Sequence, residues 1–121
     1  MDALLIIDFQ NDFVPGGALA VEGGDEIALP ISRLLNRFEL VIATRDWHPA
    51  DHGSFRGVEV DPSRWRGSDP PAIWPVHCLQ DTAGAQLHRS STRTDIGHAA
   101  PPPPSTSTRT CLARPRAPAS A

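Results

Sequence analysis

Asp46-Trp47-His48 closes an apolar run, His52 follows shortly after, and Trp74-Pro75-Val76-His77-Cys78 lies further downstream. One carboxylate and three imidazoles are the donor types that hold a divalent metal. In an extended segment, the i, i+2 spacing of Asp46 and His48 turns both side chains to one face and Trp47 to the other. His77 then has to arrive from a separate stretch to complete the set. Singly, each histidine reads equally well as a turn cap or a solvated ring. Together, and beside Asp8 at the end of another apolar run, they read as a metal site. Such donors suit zinc, iron and manganese alike, so one divalent metal is expected without its identity being fixed.

The elements that must position these groups are short and apolar. Residues 3–7 form a continuous aliphatic run without alternation, the pattern of a strand buried on both faces of a parallel sheet. Asp25 and Glu26 precede a helical stripe of Ile27, Ile31, Leu34, Leu35 and Phe38. Pro30 is tolerated in a first turn, so the regular helix begins close to it. Residues 40–43 are a second apolar strand. Strand, helix and strand imply a parallel pair with a right-handed crossover. In open α/β sheets the ligand crevice lies beyond the carboxyl ends of the strands, where Asp8 and Asp46 both sit. Residues 18–21 read as a surface loop or small hairpin between glycine turns. From His52 to His88 no helix is evident, and Val58-Glu59-Val60 is a candidate extended piece.

A chain of 121 residues has room for one domain of ordinary size. A net charge of −3 and a pI near 5.9 argue against nucleic acid or a membrane surface as partner. No apolar run approaches the roughly 18 residues of a membrane span. The start of the chain lacks the basic region and cleavage site of a signal peptide. Cys78 and Cys111 suggest no disulfide framework, and a reducing cytoplasm fits best. The composition breaks near Arg89: residues 1–88 carry 13 acidic and 6 basic side chains, residues 89–121 carry 1 and 5. The second stretch, with four consecutive prolines at 101–104, holds too few large aliphatics to offset its ordering entropy. It is expected to be a disordered, low-complexity tail, either a linker or an out-of-frame ending. An exposed sheet edge beside residues 40–43 is a second expectation.

Asp8-Phe9-Gln10-Asn11-Asp12-Phe13, Pro15-Gly16-Gly17, Asp46-Trp47-His48-Pro49, Asp51-His52-Gly53-Ser54-Phe55 and Trp74-Pro75-Val76-His77-Cys78 occur in that order. Over residues 1–88 this resembles the N-terminal half of the nicotinamidases, which are isochorismatase-like cysteine hydrolases. The resemblance implies an α/β fold with a three-layer parallel sheet, here truncated, followed by the 89–121 tail. It implies hydrolysis of nicotinamide to nicotinate and ammonia through a cysteine thioester, in pyridine nucleotide salvage. Asp8 matches the aspartate that takes and returns the thiol proton. Asp46, His48 and His77 match the metal ligands, and His52 matches a further ligand. Phe13 and Trp74 match aromatic walls around the pyridine ring. Homo-oligomers are an expectation for full-length members.

Other residues of these motifs have plainer readings. Gln10, Asn11 and Asp12 are expected to satisfy their own turn, with Asp12 also orienting a neighbour. Cys78 is expected to be a small buried hydrophobe. The family's catalytic lysine has no match, because all 11 basic side chains are arginine. Cys111, within Arg109-Thr110-Cys111-Leu112, has no apolar strand before it to present a nucleophile. The chain as given is therefore expected to be catalytically incomplete. Two alternatives stand beside an amidase: a metal- and ligand-binding remnant without turnover, and a related cysteine hydrolase of another small amide.

Overall fold

Residues Ala3–Ile6 form strand β1, Ala28–Leu34 helix α1, and Leu40–Ala43 strand β2. The computed structural model describes residues 2–58 and 74–91, together with the backbone of 112–114. β1 and β2 pair in parallel, with Ala3 opposite Leu40 and Ile6 opposite Ala43. A parallel pair needs a long crossover, and 3-10 turns at Asn11–Phe13 and Gly24–Ile27 carry the chain into α1. The first of these turns requires a glycine: a Cβ on Gly17 would collide with the carbonyl oxygens of Asn11 and Asp12.

Apolar periodicity accounts for most of the packing. Ile31 and Leu35 of the helical stripe enter a core with Ile6, Phe9, Val41 and Ala43, while Leu4, Val14, Phe38 and Leu87 pack at its margin. Ile27 departs from the expected stripe and is 47% exposed. It ends the 3-10 turn rather than lying in α1, and three residues per turn carry it off a 3.6-residue face. Pro30 lies in the first turn of α1, where a missing N–H costs nothing.

The unbroken aliphatic run of residues 3–7 points to burial on both faces, and here the structure differs. Ile6 is buried, but Leu5 is 55% and Ile7 52% exposed. Among the described residues, one face of the sheet is covered by α1 and the other is not. The edge expectation is also corrected. Strand β3, Leu112–Arg114, pairs antiparallel with β2 in a sheet of order β1-β2-β3, so β2 is central. No element was expected at 112–114. Apart from a 3-10 turn at Arg89–Ser91, the rest of the 89–121 stretch lies outside the described residues, as do Cys111, Glu59 and Val60. No helix among the described residues is long and apolar enough to cross a membrane.

Beyond the strand ends, loops are tied together in pairs. Isolated bridges join Gln10 with Leu87, His48 with Leu79, and Phe55 with Trp74. Trp47, Cys78 and Ala85 form a second buried cluster against which Phe13 packs.

Candidate metal centre and active site

Asp46, His48 and His77 bring one ligand atom each to within 4.8 Å of one another. Asp46 Oδ2 lies 2.8 Å from His48 Nε2 and 3.4 Å from His77 Nε2. Local backbone explains the convergence. The His48 N–H donates to the Cys78 carbonyl at 2.8 Å, and the Gln80 N–H donates to the His48 carbonyl at 2.9 Å. That pairing holds the two imidazoles nearly perpendicular, with centroids 5.1 Å apart. Trp47 is buried on the opposite side, as its alternation with the two ligands requires.

These residues fit a divalent cation. The His77 Nδ1 is 2.7 Å from the Pro75 carbonyl oxygen, which only accepts. Nδ1 therefore carries the proton and Nε2 presents a lone pair toward Asp46. Ligand atoms about 3.3 Å apart suit a tetrahedral ion with bonds of about 2.0–2.1 Å. The His77–Asp46 distance of 3.4 Å already matches, and the His48–Asp46 distance of 2.8 Å is somewhat short of it. One carboxylate and two imidazoles leave a coordination position open, as catalytic zinc sites do.

His52 lies beside this set rather than within it. Its ring is 4.2 Å from that of His48, and its Nδ1 is 2.6 Å from Ser54 Oγ. Burial, reinforced by His48, holds its pKa below the ordinary imidazole value, so the ring is neutral near pH 7. Phe55 is buried edge-on to both His48 and His77, with centroids 5.2 and 5.5 Å away.

Asp8 follows β1 with φ +48, a left-handed conformation. Thr44, at the end of β2, donates its hydroxyl to Asp8 Oδ1 at 2.7 Å and accepts the Asp8 N–H at 3.1 Å. Phe13 sits 5.7 Å from the His77 ring. Trp74 is exposed, and its backbone is clipped to Ser54 and Arg56. Cys78 is fully buried, and burial, with the nearby charges of Asp46, Asp12 and Asp8, pushes its thiol up to about 12. It is inert as a nucleophile at neutral pH, in keeping with a packing role.

The sequence suggests that Gln10 serves its own turn. In the structure its side-chain amide instead reaches Asp46 and Ala85, and Asp12 reaches both Ala18 and Cys78. Thr44 and Phe55 were also without assigned roles. Buried polar type was the only hint for Gln10, since its partners are distant in sequence.

Residues 2–99 match the isochorismatase domain family. The chain belongs to that family. Within it, the chain is similar to the nicotinamidase of Escherichia coli (strain K12), with 51% identity over 94 residues, covering 71% of this chain and 44% of the relative. Among solved structures, the isochorismatase-family chain superposes on the pyrazinamidase of Pyrococcus horikoshii in complex with zinc, with a TM-score of 0.57 and 40% identity. That match covers 70% of this chain and 43% of the other. It also superposes on PnC1 from L. infantum in complex with nicotinate, with a TM-score of 0.63, 37% identity, and coverage of 80% and 44%. The chain thus spans less than half the length of these relatives.

Proposed function

We propose that this chain carries the metal- and ring-holding half of a nicotinamidase site, in a protein that hydrolyses nicotinamide to nicotinate and ammonia. The observation that carries the reading is the convergence of Asp46, His48 and His77 beyond the end of the strand beside β1, with Asp8 bonded across to Thr44. In this reading Asp8 takes the proton of the attacking thiol and returns it to the departing ammonia. Phe13, against His77, and the exposed Trp74 flank the pyridine ring. A divalent ion held by Asp46, His48 and His77, with His52 adjacent, supplies an anchor for the ring nitrogen, directly or through water. Zinc, iron and manganese all suit the donors. Cys78, held protonated and fully buried, is not the thiol. A cytoplasmic role in pyridine nucleotide salvage belongs to the same proposal.

Metal content and ammonia release test it. The purified chain is expected to hold about one divalent metal, lost sharply in His48→Ala and His77→Ala and retained in His88→Ala. Equal losses from all three substitutions would reduce the site to nonspecific imidazole chelation. The chain alone is expected to release ammonia from nicotinamide no faster than buffer. Mixing it with the C-terminal half of a nicotinamidase is expected to raise that rate. Ammonia release by the chain alone that vanishes in Cys111→Ala would place the nucleophile on Cys111.

A further inference from the structure

Gln10 is 0% exposed yet polar, and the reaction proposed above gives it nothing to do. Its Nε2 donates to the carbonyls of Asp46 and Ala85, each at 2.8 Å. Its Oε1 accepts the Asp46 N–H at 2.6 Å. One side-chain amide therefore engages both backbone groups of a metal-ligand residue, as a neighbouring strand would. Because peptide units are planar, holding the two that flank Asp46 leaves its side chain few directions to point.

Asp12 repeats the device on the other ligand stretch. Its Oδ2 accepts the Cys78 N–H at 2.7 Å, while Oδ1 accepts the Ala18 N–H at 3.1 Å. The Cys78 N–H belongs to the peptide unit that follows His77, and Cys78 itself is left-handed, with φ +47. Gripping that unit orients His77. The ligand segments also pair directly through His48 and Leu79, but that pairing alone leaves them free to shift as a unit.

We propose that Gln10 and Asp12 are positioning residues of the metal centre. From one short turn after β1 they grip the backbones of both ligand-bearing stretches and set the Asp46 carboxylate against the His77 imidazole. The inference rests on the metal reading above. It also ties the site to Asp8, which opens the same segment, so metal ligands and proton-transfer carboxylate are placed by one piece of chain.

Cobalt(II) titration of the full chain tests this, because the visible ligand-field bands report ligand geometry as well as occupancy. Gln10→Leu and Asp12→Ala are expected to weaken cobalt binding by about 10–100-fold and to shift the bands. Asp12→Asn keeps an acceptor for the Cys78 N–H and should recover most of the affinity. Gly84→Ala should follow Asp12→Ala, since its new Cβ collides with the Asp12 carboxylate and displaces it without removing it. Ser32→Ala, on the exposed side of α1, should match the wild-type chain. Should Gln10→Leu fail to fold, the Asp12 and Gly84 variants decide, because both positions are only half-buried. Wild-type affinity and spectrum in Asp12→Ala and Gly84→Ala would overturn the inference while leaving the metal reading intact. A wild-type chain that takes up no cobalt would remove the metal centre, and the inference with it.

Discussion

At the residue scale, Asp8 shows how closely a strand-end carboxylate can be held by one neighbouring side chain. Its left-handed backbone is one that most side chains avoid, though aspartate tolerates it better than most. Thr44 meets it twice, as donor to the carboxylate and acceptor from the backbone N–H. Thr44→Val keeps the shape and removes both bonds. It is expected to cost about 1.5–3 kcal/mol in urea unfolding, the range for hydrogen bonds to a charged group. Thr44→Ser should recover most of that, and a valine variant as stable as the wild-type chain would contradict the account. Cys78 makes a complementary case. Its pKa, raised to about 12, keeps the thiol protonated well above pH 8. Iodoacetamide at pH 8.5 should leave Cys78 unmodified in the folded chain and label it after denaturation, with peptide mapping separating it from Cys111. Rapid labelling in the folded state would show that the thiol is not confined.

At the element scale, burial at the two ends of α1 separates residues that look alike in the sequence. Leu35→Ala, in the core with Ile6 and Val41, is expected to cost about 2–5 kcal/mol. Ile27→Ala, at a similarly apolar but exposed position, should stay within about 0.5 kcal/mol. Equal losses in denaturant would mean that the 3-10 turn is part of the core after all. The same contrast explains what the sequence could reveal. β1, α1 and β2 were readable because their signals are local: aliphatic runs, a 3.6-residue stripe, a proline where a first turn accepts it. The i, i+2 ligand pair was readable for the same reason. Gln10 does not serve its own turn as the sequence suggests, and the neighbour that Asp12 holds has no local signal, because the decisive partners, Asp46, Ala85 and Cys78, come from remote loops. No periodicity records such a contact. Phe55, to which the sequence assigns no role, is likewise set against two imidazoles only by the fold.

At the scale of the whole molecule, the sheet has one covered face and one bare one among the described residues, and Leu5 and Ile7 are on display. Relatives of about twice the length have further chain to lay there. With one sheet face bare among the described residues, a metal bound by Asp46, His48 and His77 would be a large share of what holds the loops in place. Its ligands come from two stretches, residues 46–48 and residue 77, so an ion that binds them cross-links the loops around Trp47 and Cys78. An ion that binds the folded chain and not the unfolded one stabilises by mass action, about 2.7 kcal/mol at a hundredfold excess over its Kd. For a folded unit of this size that corresponds to a rise in Tm of about 10–20 °C. Zinc added to the metal-free chain should therefore raise Tm by that order, and a chelator should reverse it. His77→Ala should lose the zinc response, and because it also empties a buried position and removes the hydrogen bond to the Pro75 carbonyl, its response is read against its own metal-free Tm. A zinc-induced rise of the same size in His77→Ala would show that the ion acts elsewhere. No rise in the wild-type chain would mean that Asp46, His48 and His77 converge through hydrogen bonding alone.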